Sequence, residues 1–346
     1  MRLFPSMKLG LVLGVALTTA LGCAKDDDDS YRDGVPYRED VTLAFPDGSG
    51  AQASALTASD GTAATSGALL GEQAEFYRLT RGITVMVNTA TANVLTLVKT
   101  ITEFPPTSVD KAADTAVWGP HTQALSPNTW MLTVKRIARG QFHYVLAAKA
   151  KTAPDTAYVE VLVGNHNLAN PTAHRRANLP AYGSGDFVLD WDASATLPEH
   201  DTNVGKAAFT YSRLNPTSDV NIGVTFSKVR DEDTGMLVDA VYDYAAKPGA
   251  GGSFDFKLVK NLVLTTAAVE TMSVHSRWLE TGAGRSDTLM GGGDLPATGA
   301  TAGATVNECW DSNFLSVYMT NSYGDLAKTW GAETSCAFAS AVYSAP

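Results

Sequence analysis

The stretch DWDASATLPEHD, Asp190 to Asp201, holds the densest set of potential ligands in the chain. Asp190, Asp192, Ser194 and Asp201 fall at positions 1, 3, 5 and 12 of an EF-hand-like loop, the spacing that folds oxygens around calcium. Three features depart from that pattern: Ala195 stands where the sharp turn needs glycine, Asp201 replaces Glu, and Pro198 interrupts the loop. Asp190, Asp192 and Asp201 are therefore a calcium candidate on partial evidence, and a strand ending in a charged turn explains the same residues. Asp190, Glu199 and His200 form a second set, because glycoside hydrolysis needs one carboxylic acid and one carboxylate flanking a bond.

The rest of the chain adds little chemistry. Its six histidines, His121, His143, His166, His174, His200 and His275, show no HExxH or H-x-H spacing. His166 and His174 flank a Pro-containing loop with Arg175 and Arg176, which reads as a solvated loop. There is no GxSxG elbow, and Ser253 in GGSF lies beside a turn with no assignable base. Gly291-Gly292-Gly293-Asp294 lacks the Lys-Ser/Thr of a phosphate loop. No catalytic residue and no cofactor is assigned. Cys309 and Cys336 lack CxxC spacing and nearby histidines, so in an oxidising compartment they read as one disulfide. Closing that loop contributes roughly 3.5 kcal/mol in the chain-entropy model.

The acidic balance, net charge −10, argues against a nucleic-acid partner, which requires a basic face. The N-terminus argues for a membrane. Arg2 and Lys8 precede Leu9–Ala20, an apolar run without charge. That run is shorter than the roughly 20 residues needed to span a bilayer, so it reads as a secretory signal, starting at Met1 or Met7. Ala20-Leu21-Gly22-Cys23 resembles a bacterial lipobox. The resemblance implies cleavage after residue 22 and acylation of Cys23, with outer-membrane sorting because Ala24 and Lys25 follow. Several acyl chains, at about 0.8 kcal/mol per buried methylene, would hold the chain on a bilayer. Residues 23–66 are expected to be a tether: Ala24–Asp33 is charged and apolar-poor, and the remainder is rich in Ala, Gly, Ser, Thr and Asp around a short strand-like VTLAF.

The elements follow. Phe76, Leu79, Ile83, Met86, Ala90, Val94, Leu97 and Ile101 recur at helical spacing, predicting a helix over 67–104, ended by Pro105-Pro106. Its other face carries Asn88, Thr89, Thr91, Asn93 and Thr96 and no charge, which suits a helix wrapped by other structure with its hydroxyls and amides satisfied locally. Period-two alternation then repeats, as in Trp130-Leu132-Val134, Phe187-Leu189-Trp191 and Val220-Ile222-Val224-Phe226. Hairpin signals such as Asp233-Thr234-Gly235 and Lys247-Pro248-Gly249 separate the runs. The fold class is α+β, mainly antiparallel β: a curved meander or half-barrel of about 8–11 strands packed on one long N-terminal helix. One domain is expected over 67–346, with a disulfide-stapled tail, 305–346, holding a short helix in Asn307–Tyr323 and a last strand in Cys336–Val342.

The stretches LTRGITV, LDWDASATLPEHD, GGSFDFKLVK, VHSRWLETGAGRSD and ECWDSNF resemble those of uncharacterised secreted lipoproteins of myxobacteria. That resemblance implies an envelope location and no particular chemistry. In layout alone, a helix against a curved antiparallel sheet is similar to periplasmic lipoprotein carriers. The expected function is non-enzymatic binding of lipid or another apolar ligand by an envelope lipoprotein. The alternatives are a surface-interaction scaffold presenting loops such as Asn165–Tyr182, and a hydrolase using Asp190, Glu199 and His200.

Overall fold

The computed structural model describes residues 31–46, 70–171, 182–200, 202–231, 235–261, 267–293, 295, 303–322 and 329–344. The signal sequence and Cys23 lie outside these residues. A single turn, α1 (Arg38–Val41), precedes helix α2 (Glu75–Thr102). No described helix is long and apolar enough to cross a membrane.

Helix α2 begins at Glu75 rather than at residue 67, because the residues before it are engaged elsewhere. Gly71 and Ala74 donate their N–H groups to the carbonyls of Ser316 and Phe314, and Ser316 donates back to Glu72 O. Glu75 in the first turn and Lys99 in the last complement the helix dipole. Of the polar face read from the sequence, Thr89 and Asn88 are seen to be satisfied, and other threonines of the helix follow the same pattern as Thr89. Thr80, Thr84, Thr89, Thr100 and Thr102 each donate a hydroxyl proton to the carbonyl four residues back. Asn88 clamps the extended segment before the helix, accepting from Leu43 N and donating to Leu43 O.

Fifteen strands follow, each hydrogen-bonded to the next in chain order, in one open sheet with β1 and β15 at its edges. The first six are β1 (Ser108–Asp110), β2 (Thr115–Thr122), β3 (Asn128–Ala138), β4 (Gln141–Ala150), β5 (Val159–Leu168) and β6 (Gly183–Asp190). After a turn of helix, α3 (Trp191–Ser194), come β7 (Lys206–Arg213), β8 (Val220–Arg230), β9 (Leu237–Lys247), β10 (Gly251–Lys260) and β11 (Glu270–Leu279). The last are β12 (Gly284–Gly292), β13 (Ala304–Trp310), β14 (Ser316–Asn321) and β15 (Thr329–Gly331). The antiparallel meander matches expectation; the strand count exceeds the expected 8–11. β12 and β13 bury residues on both faces, GRSDT and NECW without a break, which erases the period-two signal. Asn307–Tyr323 accordingly supplies β13 and β14, not a helix, as far as it is described. Cys336–Val342 is not a strand; its backbone joins no ladder.

The chain forms two compact units, one built from Val41–Thr91 and Ala207–Pro346, the other from residues before Val41 and Ala92–Lys206. In the second unit, residues 31–37 are packed rather than tethering. Tyr31 and Val35 are buried, and a Cβ on Gly34 would stand 2.6 Å from the Phe142 ring. Arg136 lies over the Tyr31 ring at 4.6 Å, and Trp118 Nε1 donates to Phe104 O at 2.8 Å. In the first unit VTLAF is not a strand. Val41 and Leu43 are buried, and Ala44 exchanges hydrogen bonds with the Tyr244 hydroxyl. The tether expected over 23–66 therefore does not include residues 31–46; its remainder lies outside the described residues.

Candidate functional site

In an antiparallel ladder directly opposed residues share a face, and alternate residues of one strand point to opposite faces. The register from β8 to β14 uses both rules to sort polar groups. One row runs Ile222, Tyr244, Phe254, Ser276, Ser286, Glu308, Met319. This is the helix side: Thr80 Oγ1 lies 2.8 Å from Ser276 Oγ, and Phe76 N donates to Glu308 Oε2 at 2.7 Å. The adjacent row, on the opposite face, runs Gly223, Asp243, Asp255, His275, Asp287, Asn307, Thr320. Six strands thus place six polar side chains in one line.

The centre of that line is an ion network. Arg285 Nε donates to Asp287 Oδ1 at 2.7 Å and Arg277 Nη2 to Asp287 Oδ2 at 2.8 Å, while Asn307 Nδ2 also reaches Oδ1. The Asp287 side chain is fully buried and that of Arg285 is 1 % exposed. Burial alone would lower the Arg285 pKa; the hydrogen bonds and charges of Asp287 and Glu333 outweigh it and raise it. Toward β9, His275 Nδ1 lies 2.6 Å from Asp255 Oδ1. Partial burial pushes Asp255 up, but hydrogen bonds from His275 and Ser344 hold it below the usual carboxylate range. Its cross-strand neighbour Asp243 moves the other way, raised by partial burial and then by the Asp255 charge. Two facing carboxylates with pKa values driven apart mark a functional candidate.

Beside them lies a groove of about 310 Å³ over β7–β10, lined by Thr210, Ser212, Asn221, Asp243, Ser253 and Asp255 among others. Its floor is open because Gly223 carries no side chain. A Cβ there would stand 2.8 Å from Thr210 Oγ1 and 3.1 Å from Asp243 Oδ1. The lining contains hydroxyls, an amide and carboxylates but no basic side chain. It suits hydrogen-bonding contact with a polar or cationic surface.

The residues singled out in the sequence lie elsewhere. Asp190 caps α3 by accepting from Ala193 N, and its Oδ2 pairs with Lys206 Nζ at 2.7 Å. Burial raises its pKa, but these contacts lower it overall. Asp192 accepts from Gly205 N; Asp201 lies outside the described residues. Both described members of the calcium candidate thus serve the turn, and among the described residues no cluster of three His, Cys, Asp or Glu could hold a metal. The members of the hydrolase set have contacts of their own. Glu199 accepts from Ser126 Oγ, and His200 Nδ1 lies 2.8 Å from Leu197 O. His143 contacts Asn165, His166 is buried in β5, and His174 lies outside the described residues. Among the described histidines, His275 is the one that meets the site. The disulfide joins Cys309 to Cys336, with Cα atoms 5.4 Å apart.

The site was missed because each member is one polar residue in an ordinary alternation. The available signal was slight: one position on each of β10–β13 carries Asp, His, Asp or Asn among same-face neighbours such as Ser253, Lys257, Ser273 and Thr305. No family model matches the chain, and no curated protein or solved structure is similar to it at a significant level.

Proposed function

We propose that this chain is a lipid-anchored cell-envelope protein, attached through Cys23, that works as a non-enzymatic interaction scaffold. Its contact surface is the outer polar face of β7–β10, centred on the groove beside Asp243 and Asp255. One observation carries this reading: the helix side of the sheet is occupied by the chain's own helix, whereas the opposite face holds an aligned polar row and an open groove. A carrier of lipid or another apolar ligand needs room between helix and sheet. Thr80 on Ser276, Phe76 N on Glu308 and the Tyr77 ring stacked 4.2 Å from Phe314 fill that place in the first unit. The interaction reading is therefore preferred. The contacts of Asp190, Glu199 and His200 are with Ala193, Lys206, Ser126 and Leu197, which lends a hydrolase reading no support. The lipobox resemblance and the likeness to myxobacterial lipoproteins support the envelope location, with the outer membrane as the favoured destination.

The test is site-specific photo-crosslinking in intact cells from Asn221, on the groove wall. A discrete adduct from Asn221, reduced several-fold by Gly223→Ala, supports the reading. Equal labelling from Asn221 and from a control position at Leu125, which is 96 % exposed, would sink it. Cys23→Ala should move the protein from the membrane to the aqueous fraction. Stoichiometric lipid in an organic extract of pure protein would restore the carrier reading.

A further inference from the structure

Beyond β15, residues Ala332–Ser344 cross the outer face of β10–β13 as a strap. Among the described residues none of its backbone groups joins a strand, and most of its side chains are exposed, Val342 and Tyr343 at 44 % and 39 %. Side chains of the polar row hold it instead. Arg285 Nη1 donates to Glu333 Oε1 at 2.7 Å and to Phe338 O at 3.2 Å, and Arg277 Nη2 donates to Ser340 O at 3.0 Å. Val342 N donates to Asp287 Oδ2 at 2.9 Å, and the Tyr343 hydroxyl exchanges hydrogen bonds with Asn307. At its end the Ser344 hydroxyl donates to Asp255, the carboxylate that walls the groove. Such bonds are exchanged for water when the strap lifts, so each adds little net hold. The covalent hold is Cys309–Cys336, with Cys309 wholly buried in β13 and Cys336 half-buried at the start of the strap.

The geometry points to a reducible latch: reduction of Cys309–Cys336 releases the strap and uncovers the row from Asp255 to Asn307, extending the groove from β10 to β13. This rests on the groove being the contact surface, and adds its regulation. The step is thiol–disulfide exchange with a dithiol. A thiolate of the reductant bonds to Cys336 Sγ, the more accessible sulfur, the S–S bond breaks, and Cys309 leaves as a thiolate. The reductant's second thiol then displaces Cys336, so the dithiol is oxidised by two electrons and both cysteines end as thiols. The sheet is built to survive this, because Asp287 keeps Arg277, Arg285 and Asn307 as partners after Val342 leaves.

Hydrogen exchange of the purified chain, oxidised and after dithiothreitol, tests the latch without needing a partner. Expected is at least a tenfold rise in exchange of the Val342 amide, which donates to Asp287, with the ladder amides of β10–β13 unchanged, and several-fold faster carbodiimide labelling of Asp255 and Asp287. Cys336→Ser should reproduce both effects without reductant. Unchanged exchange of Val342 with unchanged labelling of Asp255 and Asp287 on reduction overturns the proposal, as does joint loss of Val342 and β10–β13 protection, which would make the disulfide a staple of the fold. A failed Asn221 crosslink would remove the contact-surface reading and leave these measurements intact.

Discussion

The two faces of β9–β13 are made from alternate residues of the same strands, yet they treat charge in opposite ways. On the outer face Asp287 is fully buried but meets two arginines and an asparagine. On the helix face Glu308 is equally buried and, among the described residues, meets no cation. Its Oε2 takes the Phe76 N–H, while Oε1 has no protein partner, nor do Ser286 Oγ and Thr288 Oγ1 close by on β12. Burial raises the Glu308 carboxyl to about 7, and hydrogen bonds from the Phe76 and Glu75 backbone and from Ser316 only partly offset that. The comparison teaches that burial alone does not decide the fate of a carboxylate. Arginines in register tie Asp287 into an ion network, whereas Glu308, without one, is pushed up to about 7.

The sharpest way to break the comparison is to remove the acid of the outer network. Asp287→Ala leaves Arg285 and Arg277 without their shared partner, and should destabilise the first unit by about 3–5 kcal/mol in chemical denaturation. If Arg285→Leu together with Asp287→Leu is no more stable than Asp287→Ala, the ion-pair account is wrong.

Glu308→Gln should act through pH. The folded value of about 7 lies above the ordinary glutamate value of about 4.5, so the native state binds the proton more tightly than the unfolded chain. The wild type is then most stable, as far as this group decides, below about pH 4.5, and loses about 3 kcal/mol as pH rises to 7 and slightly beyond. Glu308→Gln should abolish that slope and be the more stable protein at pH 8. Parallel pH–stability curves for both proteins would show that Glu308 is not the cause.

Thr80→Val is the mildest cut. It keeps the shape of the side chain, removes the hydroxyl between Phe76 O and Ser276, and should cost about 1–2 kcal/mol because Ser276 Oγ is left buried without it. No change in the denaturation midpoint would mean that a water takes the place of the hydroxyl.

Much of the fold was legible. Val220-Ile222-Val224-Phe226 alternates cleanly because β8 has one buried and one wetter face, so period two survives in the sequence. Gly284–Gly292 did not read as a strand, because helix and strap bury both faces of β12 and Arg285, Ser286 and Asp287 are all enclosed. The strap itself reads like Ala- and Ser-rich surface chain, and its role depends on side-chain bonds to residues distant in sequence. The candidate site was hidden for the same reason. DWDASATLPEHD drew notice because its acids are adjacent in the chain, whereas Asp243, Asp255, His275 and Asp287 belong to four separate strands.

The sequence by itself determined the antiparallel meander and the pairing of Cys309 with Cys336. Both follow from local rules, alternation between turns in the one case and two cysteines with no competing ligand pattern in the other. Tertiary structure decided which polar residues stand in one line. Alternation settles which face a residue takes within its own strand, but the offset between neighbours comes from hydrogen-bond register, which no short stretch of chain records. That register, with the helix on one side and the strap on the other, made one buried acid a member of an ion network and left the other pushed up to about 7.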